Sequence, residues 1–464
     1  MNKKLNKSEN NNVIYSFFTI IALVFWNPLS FFLLYRNTAV YNSKILHLIY
    51  WIVFITGIVL VYLTMRKKIK YFIKNIIFFL SFAGILFSIM FAFNFMLSFT
   101  LNRETSENGI IFEPNTKAWY KTVEFDYFAE INSLGLRDKE IDIDNKDGKY
   151  RILCFGDSWT FGWGVDIEDS WPKKLEKFFH DHGITNIEVI NCGQGGACTT
   201  EYRKNMAKAV PLLKPDLVLV GVLQGDDLFQ LSRFNDTSRD FKYIMSAIMS
   251  AIKLYLKTSF GNIITLLRKP SRTIEIKENW ENSAKNIINN FNFIQKTRFY
   301  TLDDNMQKLF LTGNLNPGLL EVYVNFPDRV FFLNNPNHPE TIFCKDRMSQ
   351  DIKDMKVICN NNNCNLVFVN LPLSGYTGHK VIRTPLDDLT SNYLVENNIV
   401  DSIYYSISTS NSLNYIELTD HFLSLVDKDK YFFLYDGHPN EKGYEEIANY
   451  IGGQLLKFGY LEKE

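Results

Sequence analysis

A serine, a histidine and an aspartate in this chain have the residue types of a hydrolytic triad. Ser158 ends the tripeptide Gly-Asp-Ser, which follows the apolar run 150–155 and precedes a predicted helix. A serine at such a turn lies at the carboxyl end of a parallel strand, near helix N–H groups that favour developing negative charge. Far downstream, Asp-Gly-His supplies Asp436 and His438. We therefore predict acyl transfer through Ser158, with His438 as the base and Asp436 orienting it.

The remaining histidines and the cysteines show no metal-binding spacing, because the chain has neither CxxC nor HExxH. We interpret the other six histidines as structural or surface residues: His47, His180, His182, His338, His379 and His421. Two cysteine pairs could close small loops in an oxidising compartment, and buried free thiols are the alternative. The pairs are Cys359 with Cys364 and Cys192 with Cys198.

Strand-like runs alternate with amphipathic segments after residue 149, which predicts a parallel sheet covered by helices on both faces. The predicted strands are Arg151–Phe155, Ile187–Asn191, Leu217–Leu223, Leu366–Leu371 and Tyr415–Glu417. The predicted helices are Trp171–His182, Thr200–Leu213, Cys344–Cys359, Ser391–Ser406 and Glu441–Phe458. The expected fold is a flavodoxin-like, three-layer α/β/α domain with a five-stranded parallel sheet, over residues 149–464.

Four polar or glycine-rich blocks follow the strands and resemble the SGNH (GDSL-type) hydrolase family. They are Gly156-Asp157-Ser158, Asn191-Cys192-Gly193, Gly225-Asp226-Asp227 and Asp436-Gly437-His438. The likeness covers residues 104–464 with gaps, and the lead-in 130–138 resembles that of membrane-attached members. It implies a serine acyl-enzyme and no metal or organic cofactor. The family usually has two residues between the aspartate and the histidine, whereas this chain has one.

The resemblance also implies an oxyanion hole made by the N–H groups of Ser158 and Gly193 and by a side-chain amide. The family places an asparagine where this chain has Asp226, and an ionised carboxylate cannot donate a hydrogen bond. Three alternatives remain: Asp226 is protonated and donates, Gln224 supplies the amide, or the hole is weak and the protein binds rather than turns over ester. Asp227 is interpreted as structural.

The first 102 residues differ in composition from the rest of the chain. They carry ten Lys and Arg against one acidic residue, net +9, whereas the remainder carries 40 basic and 49 acidic residues, net −9. Three apolar stretches are long enough to span a bilayer: Val13–Tyr35, Ile45–Met65 and Ile76–Phe99. We predict a three-helix membrane anchor over 1–102, with buried core helices as the alternative. No basic face indicates nucleic acid binding.

Positive charges precede the first stretch and fill the loop after the second, which predicts that the amino terminus and that loop are cytoplasmic. An odd number of spans then places the catalytic domain outside the cytoplasmic membrane, facing the periplasm or the exterior. Residues 103–148 are predicted to lead from the membrane onto the domain, with one strand-like piece, Val123–Ile131.

A long excursion, 229–339, separates the third and fourth strands and is far longer than a usual connection. It holds an apolar helix candidate, Tyr243–Leu267, and a second helical piece, Trp280–Ile294. The excursion is interpreted as a lid or substrate-binding subdomain, a membrane-lying helix, or a packed structural insertion. Aromatic side chains near the serine suit either sugar stacking or core packing: Trp159, Phe161 and Trp163.

Together these observations predict an extracytoplasmic serine ester hydrolase that acts on an O-acylated glycan or another envelope ester. Two alternatives stay open. One is an O-acyltransferase that modifies a surface or secreted polysaccharide, with a separate membrane protein as acyl donor. The other is a non-catalytic binding protein on the same scaffold.

Overall fold

The computed structural model describes most of the chain after residue 108. The described residues are 109–143, 148–234, 273–275, 277–320, 322–324, 333–378 and 393–461, with Trp51, Phe54, Ile55, Ile58, Val59 and Tyr62. The chain divides into two compact units, Met1–Thr105 and Ser106–Glu464, and the fold given below is that of the second unit.

Eight strands form two sheets. In chain order they are β1 Lys117–Lys121, β2 Asp126–Glu130, β3 Tyr150–Gly156, β4 Ile187–Gly193, β5 Leu217–Leu223, β6 Thr273–Glu275, β7 Asn365–Leu371 and β8 Asn414–Glu417. The larger sheet has the order β4-β3-β5-β7-β8, and its neighbouring strands are all parallel. This sheet confirms the five predicted strands, with ends that differ by at most two residues.

The helices are α1 Ser158–Phe161, α2 Trp171–Asp181, α3 Thr199–Leu213, α4 Asp226–Gln230, α5 Lys277–Asn290, α6 Phe293–Tyr300, α7 Asp304–Leu311, α8 Pro339–Asn361, α9 Ile399–Ser410, α10 Thr419–Ser424 and α11 Glu441–Lys457. Short 3-10 helices occupy Ile167–Asp169, Leu231–Phe234, Ser374–Thr377 and Lys428–Tyr431. The predicted helix Ser391–Ser406 is interrupted: residues 393–396 are helical, and α9 begins anew at Ile399 because Asn398 caps it by accepting the Asp401 N–H.

Alternate residues of β3 pack into different cores, which makes the domain three-layered. Leu153 and Phe155 belong to a core that includes residues of α3, α8 and α9. Ile152 and Cys154 belong to a second core with residues of α2 and α11. The predicted α/β/α layering is thus confirmed, and the fully buried strands explain the continuous apolar runs.

The lead-in forms a hairpin rather than one strand. β1 and β2 pair antiparallel, and β6 joins β1 in parallel. The prediction of one strand-like piece over Val123–Ile131 was wrong at its start, because Thr122 Oγ1 accepts the N–H groups of Glu124 and Phe125 and turns the chain.

The helical insertion has its own core, built from α5, α6, α7 and the residues that follow them. The predicted single helix Trp280–Ile294 is two helices, because Asn292 begins α6 with a capping box to Gln295. The candidate Tyr243–Leu267 lies outside the described residues.

The predicted spans Val13–Tyr35 and Ile76–Phe99 also lie outside the described residues, and six residues of Ile45–Met65 are described, all helical. Within the described part of the chain, no helix combines the length and apolarity needed to cross a bilayer. All six cysteines are buried and free.

Candidate active site

Ser158 is the first residue of α1, directly after the end of β3. Asp157 precedes it as the helix cap and accepts the Trp159 N–H at 2.9 Å. The serine is therefore fixed at a strand-to-helix turn, where unpaired helix N–H groups collect. Within the described structure, the Ser158 N–H donates no hydrogen bond, so it is available to a substrate oxygen.

His438 and Asp436 converge on Ser158 from the other end of the chain. His438 Nε2 lies 2.7 Å from Ser158 Oγ, and His438 Nδ1 is hydrogen-bonded to Asp436 Oδ1. The Asp436 side chain is fully buried, and the His438 side chain is 14% exposed. The three side chains thus form a continuous serine–histidine–aspartate chain of hydrogen bonds.

The single residue between aspartate and histidine is accommodated by Gly437, whose φ is 82°. A left-handed conformation is costly for residues that carry a Cβ, and glycine adopts it readily. The turn is tightened by hydrogen bonds from Gly437 N to Phe433 O and from Phe433 N to His438 O. The short spacing therefore still brings His438 Nδ1 to Asp436.

Charge around His438 favours its protonated form. Burial lowers the pKa of His438, but Asp436, followed by Asp157 and Asp226, outweighs burial and raises this pKa above its ordinary value. Trp163 Nε1–H donates to the second oxygen of Asp436 at 3.2 Å. Asp436 is thereby held by two donors in an orientation that faces the imidazole.

The lead-in residue Arg137 supports the serine turn, a role that the sequence analysis missed. The residue is 1% exposed, and its guanidinium donates to the carbonyl oxygens of Phe161, Gly162 and Val165 at 2.7–2.8 Å. Arg137 lies 24–28 residues before the carbonyls that it contacts, so no local sequence pattern reveals this role.

The structure does not place Gly193 as an oxyanion donor. Its N–H donates to Asn191 Oδ1 at 2.9 Å, and a Cβ there would lie 2.1 Å from Phe161 N. Gly193 is therefore needed for close packing of α1 against β4. Gly195 lies beside the serine, since its Cβ would be 3.9 Å from Ser158 Cβ. In the described structure the N–H groups of Gly195 and Gly196 donate to no other group.

Gln224 also does not face the serine. Its Nε2 donates to Asp401 Oδ1 at 2.6 Å and to Thr419 Oγ1 at 3.1 Å, in a buried network. The alternative in which Gln224 supplies the oxyanion amide is therefore wrong. Asp226 begins α4 and accepts a hydrogen bond from Gln230 Nε2 at 2.6 Å.

Three carboxylates gather behind Ser158. Oxygens of Asp157, Asp226 and Asp227 all lie within 4.8 Å of one another. Burial, followed by the charge of Asp226, raises the pKa of Asp157 to about 7. Burial, followed by Asp157 and Asp226, also raises the pKa of Asp227, which accepts the Tyr202 hydroxyl and the Leu223 N–H. Within the described site, these carboxylate oxygens are the atoms that could bind a cation.

The aromatic residues near the serine divide into two groups. Trp159 and Phe161 are 1% and 5% exposed, so they pack in the core and cannot stack on a sugar. Trp163 is half-buried, and its ring lies 6.0 Å from that of His438 and 4.8 Å from that of Tyr120. Only Trp163 of the three can contact a substrate.

Comparison with known sequences gives one partial likeness. No protein-family model matches the chain. An arylesterase from Vibrio mimicus is 30% identical over 118 residues, which is 25% of this chain and 53% of that protein. The chain thus matches about half of the length of this curated relative.

Solved structures of ester hydrolases are similar over about two thirds of the chain. The lipase/acylhydrolase from Enterococcus faecalis is 14% identical, covers 68% of this chain and 98% of its own, and has a TM-score of 0.33. An acetyl xylan esterase is 12% identical, with coverages of 66% and 99% and a TM-score of 0.33. A putative lipolytic G-D-S-L protein from Desulfitobacterium hafniense is 13% identical. The match covers 66% of this chain and 99% of that protein, with a TM-score of 0.32.

Proposed function

We propose that this chain is an SGNH-type serine esterase that acts through a Ser158 acyl-enzyme. The observation that carries the proposal is the 2.7 Å approach of His438 Nε2 to Ser158 Oγ, with Asp436 bonded to the other ring nitrogen. A base at this distance can take the serine proton as the oxygen attacks. The partial likeness to an arylesterase supports the same chemistry.

In the proposed reaction, Ser158 Oγ attacks the ester carbonyl while His438 accepts its proton. Asp436 stabilises the imidazolium, which then protonates the leaving alcohol. Water, deprotonated by His438, releases the acid from the acyl-enzyme. The oxyanion donors in this proposal are the N–H of Ser158 and an N–H of Gly195 or Gly196, whose amides donate nowhere else in the described structure.

The test uses the full-length chain, purified in detergent, with a fluorophosphonate probe and an aryl acetate. Wild type should be labelled and should turn over, and Ser158→Ala should lose both. The matched control is Ser402→Ala, since Ser402 is exposed on α9 and makes no side-chain hydrogen bond in the described structure. Absent labelling of folded wild type would contradict the proposal and favour a non-catalytic binding protein.

The proposal extends to an envelope O-acylated glycan as the substrate. Its supports are the half-buried Trp163 ring beside His438, which suits the face of a sugar, and the predicted membrane anchor. Acetate release from O-acetylated polysaccharide should exceed fatty-acid release from triglyceride, and both should vanish in Ser158→Ala. If acyl groups instead pass to an added sugar faster than to water, the chain is an O-acyltransferase.

We further propose that the catalytic domain lies outside the cytoplasm. The support is the charge distribution around the three apolar stretches of residues 1–102. Alkaline phosphatase fused after Arg103 should be active, whereas a fusion after Lys70 should be inactive. The reverse pattern would overturn this topology.

A further inference from the structure

The main chain of the catalytic aspartate is held by a side chain from the lead-in hairpin. The N–H groups of Tyr435 and Asp436 donate to the two carboxylate oxygens of Glu124, at 2.9 and 2.8 Å. Glu124 lies in the turn between β1 and β2. A carboxylate that accepts two backbone N–H bonds fixes both the position and the direction of that peptide segment.

The carbonyl side of the same segment is held by the helical insertion. The Tyr323 hydroxyl donates to Tyr435 O and lies 3.5 Å from Asp436 O. Tyr323 is 7% exposed and belongs to the core of the insertion, against which the Tyr435 ring also packs. Asn305 Nδ2, on α7, donates to the Tyr435 hydroxyl at 3.0 Å.

These contacts have a consequence for the triad, because only Gly437 separates Asp436 from His438. Glycine leaves the backbone free to move unless neighbours restrain it. A displacement of about 1 Å in a catalytic group can cost roughly 10²-fold in rate. The loop thus needs an external restraint, and the described contacts supply it from two directions.

We propose that Glu124 and Tyr323 are positioning residues that clamp the Tyr435–Asp436 segment, so that the triad is complete only when the insertion is folded against this loop. The role of the clamp in catalysis rests on the proposed serine-esterase function. The insertion is then a structural part of the active site and not only a cover above it.

The test compares Glu124→Gln and Tyr323→Phe in the full-length chain. Glu124→Gln replaces one acceptor by a donor, and Tyr323→Phe removes only a hydroxyl. We expect kcat to fall roughly 10- to 100-fold in each, with KM within about twofold. The matched controls are Glu113→Gln and Tyr300→Phe, which alter exposed residues without a side-chain hydrogen bond in the described structure. Both controls should keep wild-type kcat.

A double-mutant cycle separates positioning from a general structural role. If Glu124 acts through Asp436, then Glu124→Gln should reduce kcat no further in an Asp436→Asn background. Additive losses would overturn the proposal, as would wild-type kcat in both single variants.

Amide hydrogen exchange tests the clamp independently of enzyme activity. The Tyr435 and Asp436 amides should exchange about tenfold or more faster in Glu124→Gln, as the loss of a hydrogen bond to a charged acceptor implies. Unchanged exchange in Glu124→Gln would overturn the clamp. The two proposals can fail separately. If the amides exchange faster in Glu124→Gln but the probe does not label wild-type Ser158, the clamp stands and the esterase function is overturned.

Discussion

The two sides of Ser158 differ in how their polar and charged groups are paired. On one side, each polar atom has a complementary partner: Oγ faces His438, and Asp436 accepts from both the imidazole and Trp163. On the other side, Asp157, Asp226 and Asp227 bring like charges together. The first side is ready for proton transfer once His438 is neutral, whereas the charge on the second side depends on how many protons the carboxylates hold.

The largest expected effect tests the complementary side. Asp436→Asn should lower the kcat for an aryl acetate by about 10⁴-fold, because the imidazole loses its orienting acceptor. Only neutral His438 can act as a base, so activity rises as pH increases through its raised pKa. Without the Asp436 charge, burial lowers that pKa, and the acid limb should move to lower pH.

The measurement is a pH–rate profile of kcat/KM, with Asp304→Asn as a control, since Asp304 is exposed on α7. An acid limb that stays in place in Asp436→Asn would mean that Asp436 does not set the pKa of His438.

The second effect tests what Gly193 does. Gly193→Ala should lower the free energy of unfolding by about 3 kcal/mol, because its Cβ would collide with backbone that cannot yield easily. Gly195→Ala should leave stability near wild type, since its Cβ meets nothing closer than 3.9 Å. Urea denaturation of both variants checks this. A Gly193→Ala variant as stable as wild type would overturn this packing role of Gly193.

This contrast between Gly193 and Gly195 shows where prediction from sequence succeeds. Ser158, His438 and Asp436 could be proposed from the sequence because their residue types indicate the chemistry, and the structure brings the three side chains into contact. The strands could be predicted because fully buried strands are continuous apolar runs. The donor in a glycine-rich loop depends on backbone direction, which residue type does not specify. Glu124 acts through contacts some three hundred residues apart in the chain, which no local pattern shows. The break before α6 could have been predicted, because Asn292-x-x-Gln295 is a capping-box pattern that marks the start of a helix.

The third effect concerns the turn that completes the triad. Gly437→Ala should destabilise the fold by about 1–2 kcal/mol, the usual cost of a left-handed residue with a Cβ. Relaxation of that strain would move Asp436 away from His438, so kcat should fall together with stability. Gly453→Ala is the control, because its Cβ would enter open space in α11 and should be neutral or stabilising. Equal melting temperatures for the two variants would contradict the assigned strain.

The smallest effect tests the like-charged side. Asp226→Asn removes one of three neighbouring carboxyl groups and places an amide donor near Ser158. Burial and Asp226 raise the pKa of Asp157 to about 7, so the trio becomes more negative as pH rises through that value. More negative charge opposes an oxyanion, and wild-type kcat should therefore decline above that pH. We expect Asp226→Asn to exceed wild type by about tenfold at pH 8, below the 10²–10³ of a fully aligned donor. The advantage should shrink below pH 6, where a proton already neutralises Asp157 in wild type. A constant ratio between the two enzymes across this range would show that the carboxylates do not influence the oxyanion.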